Sequence, residues 1–218
     1  MRRAALAVAA AFLLAGCGAE PYPPTGIDGL VIPMASPHQS GFARRIDNPW
    51  FPLTPGRTWR YRVLVNGRRP GRRTVTVERT PVEVEGVATT AVRDTIVNAG
   101  GKLTSLRVDY YAQDTAGNVW WFGQQGWWRA GADGAKPGLL MAAHPRLGDG
   151  YRSGYRPGTV EDVVTVAQLD LDQKAPSCVL ETTSALEPGD DTYDTYVRGV
   201  GLTETLDPSA DERDVLVR

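Results

Sequence analysis

The sequence predicts an all-β, mainly antiparallel domain, a strongly twisted meander sheet or partly open barrel. Three observations predict it. Apolar and polar residues alternate with a period of two in segment after segment, as half-buried strands require. Gly, Pro, Asn and Asp stand at almost every junction between those segments. Beyond the N-terminal leader no stretch shows an amphipathic helix of three turns, and short spacing between strands favours antiparallel neighbours over βαβ units.

The alternation starts with Trp59, Tyr61, Val63 and Val65, between which lie Arg60, Arg62 and Leu64. Asn66-Gly67 opens a turn, and residues 74–77 return. Val82 and Val84 lead to Glu85-Gly86, after which 89–97 continue. Residues 98–101 turn into a strand at 103–112, and 114–118 turn into 119–122. Later strands are expected at 160–171, 178–186, 192–197, 202–206 and 215–217.

The N-terminus has a different character. Met1-Arg2-Arg3 precedes an apolar run over 4–15, the pattern of a secretory signal. A helix of that length rises about 18 Å, against a bilayer core of about 30 Å, so a permanent span is not expected. Leu14-Ala15-Gly16-Cys17 has the form of a lipobox: small residues admit the peptidase, and the Cys17 thiol is nucleophilic enough to take a diacylglycerol. Residues 1–16 are therefore read as a lipoprotein signal peptide and Cys17 as the lipidation site. Residues 17–44, with Pro21, Pro23, Pro24, Pro33 and Pro37, form a lipidated, Pro-rich tether. A single β-rich domain occupies 45–218. Leu30-Val31-Ile32 is a candidate for docking on that domain.

With Cys17 acylated, only Cys178 remains, so no internal disulfide is available and the core alone must hold the domain. Cys178 reads as a small buried hydrophobe in a strand. Loss of the leader takes the formal net charge from −1 to about −3, which gives no case for nucleic acid. Eight arginines between Arg57 and Arg79 face a single acid, Glu78, and are read as a solvated surface; contact with anionic headgroups is the alternative.

Four tryptophans mark the candidate ligand site: Trp120, Trp121, Trp127 and Trp128. A four-residue hairpin loop at 123–126 would pair Phe122 with Trp127, Trp121 with Trp128 and Trp120 with Arg129, setting Arg129 over Trp120. Both faces would then be apolar. One fits the core. The other is either covered by the chain, for instance by residues 136–143, or lines a groove for an apolar or sugar-like ligand. His38 and His144 stand alone in loop sequence, and no metal, cofactor or nucleophile-elbow motif occurs. Asp190, Asp191 and Asp194 lack the spacing of a Ca²⁺ loop.

Several stretches resemble a family of uncharacterised exported bacterial proteins and lipoproteins. They are Asn48-Pro49-Trp50-Phe51-Pro52-Leu53-Thr54-Pro55-Gly56, Gly117-Asn118-Val119-Trp120-Trp121-Phe122-Gly123, Asp133-Gly134-Ala135-Lys136-Pro137-Gly138 and Tyr196-Val197-Arg198-Gly199-Val200-Gly201-Leu202. The resemblance implies an all-β extracytoplasmic domain and carries over no activity or catalytic residue. Pro52, Pro55 and Gly56 also suit a rigid entry to the first strand, and Gly199 and Gly201 suit a backbone bend or bulge. The expected function is a non-enzymatic binding or interaction module of the cell envelope, partnered with the membrane through its anchor and with an apolar or glycan ligand or an envelope protein. The alternative is a carboxylate-dependent envelope hydrolase, which needs Glu161, Asp162 or another acid pair to converge in a cleft.

Overall fold

The computed structural model describes Pro37 and residues 41–217. The signal peptide, Cys17 and Leu30-Val31-Ile32 lie outside the described residues. Fifteen strands follow in chain order: β1 (Thr58–Val65), β2 (Arg68–Val77), β3 (Val82–Val84), β4 (Val87–Asn98), β5 (Leu103–Gln113), β6 (Val119–Gln124), β7 (Trp128–Arg129), β8 (Lys136–Met141), β9 (Gly150–Arg152), β10 (Gly154–Tyr155), β11 (Asp162–Asp170), β12 (Ser177–Ser184), β13 (Thr192–Val197), β14 (Gly201–Asp207) and β15 (Glu212–Leu216). All are antiparallel to their partners, and no α-helix occurs among the described residues.

Across the sheet the order is β10, β8, β6, β5, β4, β2, β1, β15, β14, β13, β12, β11, β9, with β3 on β4 and β7 on β6. The sheet curls into a nearly closed barrel, as the alternation and turn spacing predict. Its two ends are consecutive in the chain. β9 pairs with β11, and one residue later β10 pairs with β8. The segment 150–155 thus changes partners at buried Ser153 and bridges the one seam. Close approach there depends on Gly138, where an added Cβ would lie 2.2 Å from the Ser153 carbonyl carbon.

Asn66-Gly67 forms the first hairpin turn with φ of 50° and 70°, the left-handed pair that a two-residue turn of this kind demands. A bulge between Val63 and Val65 then shifts the register by one, so that Tyr61 faces Arg73 instead of Arg72. Cross-strand partners share a face. The bulge therefore turns one arginine of the basic stretch into the barrel, while Arg60 and Arg62 stay exposed on the outer face.

One end of the barrel is plugged. Ile46 and Leu53 bridge each other, and with Trp50 they are buried against Trp59, Val77, Val119, Met141 and Cys178. The plug is pinned by two amides. Gln113 Oε1 accepts from the Asp47 and Asn48 amides at 2.9 and 2.8 Å. Asn48 Nδ2 donates to the Gly117 and Ala142 carbonyls at 2.9 and 3.3 Å, and its Oδ1 accepts from the Trp50 amide at 2.8 Å. The turn 198–200 clasps the plug from outside: the Gly199 amide donates to Pro49, and the Val200 carbonyl accepts from Trp59 Nε1 and Arg57 Nη2, both at 3.0 Å. Gly199 (φ 80°) makes the bend, and after it Thr203 of β14 is the extra residue of a bulge opposite Thr195 and Tyr196. Gly41–Ala43, at the end of the Pro-rich segment, pair with the end of β5 through Phe42 opposite Asp114.

Candidate ligand cavity

Opposite the plug the barrel opens into a cavity of about 480 Å³. Its floor is the plug itself, with Phe51, Pro52 and Leu53. Its apolar wall includes Trp59, Tyr61, Val75, Val92, Tyr111 and Tyr196, all inward positions of their strands. Trp127 and Leu186, exposed large hydrophobics, stand at the mouth with Glu187 and Asp190.

The structure divides the four candidate tryptophans. Trp121 and Trp127 line the cavity. Trp121 packs edge-on against Trp128 at 4.8 Å and lies 6.3 Å from Trp127. Trp127 is 44 % exposed. Trp128 is buried with Ala135 and Val160, behind the wall. Trp120 points the other way, into a second apolar cluster with Val84, Tyr110 and Phe122 outside the barrel, and donates to Asp114 Oδ2 at 2.8 Å. Trp120 and Phe122 do share one face and Trp121 and Trp128 the other, but the expected register is corrected. β7 meets β6 through Gly123 opposite Arg129 and Gln124 opposite Trp128, leaving a three-residue loop with Gly126 at φ 79°. Arg129 accordingly stacks over Tyr110 at 4.9 Å and not over Trp120. Residues 136–141 pair with the edge of β6, Trp120 opposite Leu139 and Trp121 opposite Gly138, and so flank the hairpin within the sheet.

Above the aromatic floor the wall is charged, which sequence reasoning missed. Arg73 bridges Asp94 at 2.7 Å and Asp214 at 3.0 Å, and Arg107 reaches the same Asp94 oxygen at 2.9 Å. Asp194 accepts from Thr205 Oγ1 at 2.6 Å, and Asp109 accepts from Trp121 Nε1 at 3.2 Å. Oδ1 of Asp94 and of Asp214 are buried without a hydrogen-bond partner. Burial pushes Asp109 up to about 6, opposed by nearby Arg107 and reinforced by Asp94. Burial also raises Asp194, Asp214 and Asp162 from their ordinary value. The Tyr111 and Tyr196 hydroxyls are raised by the same loss of solvent, so both stay neutral.

Glu161 and Asp162 do not converge. Glu161 accepts from the Gly158 amide at 3.0 Å in its own turn, while Asp162 faces the cavity. Cys178 is fully buried and its thiol is pushed up to about 11 by that burial, which matches the expected inert packing role. Among the described residues no group of three His, Cys, Asp or Glu side chains is placed to hold a metal ion.

Comparison with known proteins finds similarity in two solved structures. One is a protein described as exported, with a YmcC-like fold, from Bacteroides fragilis NCTC 9343: 13 % identity, 82 % of this chain and 98 % of that chain covered, TM-score 0.45. The other is described as a lipoprotein from Parabacteroides distasonis ATCC 8503: 11 % identity, 81 % and 97 % covered, TM-score 0.43. No family model matches the chain, and no curated protein matches it.

Proposed function

We propose that this protein is a lipid-anchored, extracytoplasmic binding module that is not an enzyme and carries a small amphipathic ligand in its barrel. The carrying observation is the cavity: about 480 Å³, floored by the plug, walled by aromatic side chains and open at one end. That volume lies in the range of small-molecule sites, which are mostly apolar with a few placed polar groups. Membership of the exported family named above and anchoring through Cys17 belong to the same proposal. The family membership rests on the stretches 48–56, 117–123, 133–138 and 196–202, and the anchor on the leader and lipobox; Trp121 and Trp127 are the two candidate tryptophans that take part in binding.

Mass spectrometry of the native protein, released gently from membranes, tests the reading. A lipid, glycoside or other small molecule in near-stoichiometric amount is expected; a chain that is consistently empty contradicts it. Cys17→Ser is expected to give a soluble or unprocessed protein, and unchanged membrane partitioning of that variant contradicts the anchor.

A second reading, a carboxylate-dependent hydrolase, is favoured by one observation: Asp109, at about 6, faces the cavity near Asp94. Against it, Asp94 is held by two guanidiniums and Asp109 by the Trp121 indole, an arrangement that fixes charge in place. Asp109→Asn separates the two. A carrier still binds; a hydrolase loses its turnover.

A further inference from the structure

The cavity has an uneven charge balance. Six carboxylates line it (Asp94, Asp109, Asp162, Glu187, Asp190 and Asp194), against two guanidiniums, Arg73 and Arg107. Both guanidiniums are already committed, Arg73 to Asp94 and Asp214 and Arg107 to Asp94. Asp109 and Asp194 are held only by neutral donors, the Trp121 indole and the Thr205 hydroxyl, and neither has an ion pair among the described residues. Both are partly accessible, on β5 and β13. Asp94, only 5 % exposed, lines the same space and its Oδ1 has no hydrogen-bond partner.

Carboxylates without a direct ion pair in a partly desolvated cavity, where lining acids outnumber guanidiniums, call for a further counter-charge or a proton. An anion entering here meets net negative charge. A metal ion lacks a converging ligand set among the described residues. What the walls do offer is aromatic rings next to the carboxylates: Tyr111 and Trp121 line the cavity together with Asp109 and Asp194, whereas the buried Tyr61 ring already has the Arg73 guanidinium over it. Ring faces attract organic cations, most strongly where water is excluded. Below them lies the apolar floor at Phe51 and Leu53.

We infer that the ligand is an amphiphile with an organic ammonium head group, its apolar part toward Phe51 and Leu53 and its cationic head among Asp109, Asp194, Tyr111 and Trp121. The inference rests on the carrier reading above and adds the chemical class of what is carried.

The test uses the full chain with Cys17→Ser and three probes that share a decyl chain: decyltrimethylammonium, decyl sulfate and decyl glucoside, each below its micelle-forming concentration. Titration calorimetry is expected to show the ammonium bound about tenfold more tightly than the other two, equal to about 1.4 kcal/mol. In Asp109→Asn/Asp194→Asn, where each amide keeps an acceptor for its neighbour, the preference is expected to fall to about threefold or less, while decyl glucoside still binds saturably. A thermal melt checks that the variant is folded; if it is not, Asp109→Asn alone is the variant, and about half of the preference on a logarithmic scale is expected to go. Equal binding of all three probes, a preference for the sulfate, or a preference untouched by the substitutions overturns the ammonium head and leaves the carrier standing. No binding by any probe overturns both.

Discussion

At the plugged end of the barrel every buried amide of Asn48 and Gln113 has a partner, and the side chains around them are Trp50, Leu53, Val119 and Met141. At the open end Asp94 and Asp214 each keep an oxygen without a partner, carboxylates outnumber guanidiniums, and Trp127 and Leu186 stand in solvent. Satisfied polar groups in an apolar setting specify and stabilise a fold. Unsatisfied charge beside a cavity costs stability, and such groups are enriched at functional sites. On the proposed reading, the contrast sets stability at one end of the same sheet and ligand recognition at the other.

Substitutions at the two ends should therefore behave differently. Trp50→Ala empties the centre of the plug and is expected to cost about 3–5 kcal/mol, read from urea unfolding. A loss below about 1 kcal/mol would mean that the plug does not hold the barrel. Gly138→Ala places a methyl against the Ser153 backbone at the seam. It is expected to cost about 1–3 kcal/mol and to speed hydrogen exchange across 150–155; unchanged exchange there would contradict the close packing of the seam at Gly138.

Asp109→Asn is expected to act in the opposite direction, and only at high pH. The folded state raises this carboxyl to about 6 from an ordinary 3.8, so the native protein holds the proton more tightly than the unfolded chain. The associated stability is complete below about pH 4 and is lost as pH rises through about 6. The groups facing it are Arg107, Asp94, Arg73 and the Trp121 indole. At pH 8 the amide, which carries no charge, is expected to stabilise the protein by on the order of 1–2 kcal/mol, and at pH 4 to change little. Equal melting shifts at both pH values would remove the burial penalty from the account. The smallest stability effect is expected for Trp127→Ala at the mouth, within about 0.5 kcal/mol of zero, together with weakened binding of decyl glucoside. Intact binding would confine the site to the barrel interior.

The two ends also differed in legibility. The strands, the Asn66-Gly67 turn and the Gly199 bend could be read from local residue choice, because period-two alternation and positive φ leave direct marks in sequence. The plug was legible only as a Pro-rich entry. Its anchors join residues 65 to 94 positions apart, and no local pattern reports that Asn48 will be buried. The charged wall was hidden by register. A two-residue hairpin without a bulge would place Arg72 opposite Tyr61, and one extra residue exchanges the inner and outer faces. The tryptophan hairpin failed in the same way, since a three-residue loop moved every pairing while leaving the aromatic composition unchanged. β7 to β10 escaped notice because three of them are two or three residues long, too short for a period to emerge.

Uptake of a small molecule by the barrel interior is the proposed function. Its most direct measurement is equilibrium binding of the neutral fluorophore N-phenyl-1-naphthylamine to the full chain carrying Cys17→Ser, set beside the same protein with Val75→Trp, which fills the cavity from the β2 wall. Saturable one-site binding that the tryptophan abolishes, with the melting temperature retained, is the predicted result. Binding that fails to saturate, or that survives with the cavity filled, would contradict it.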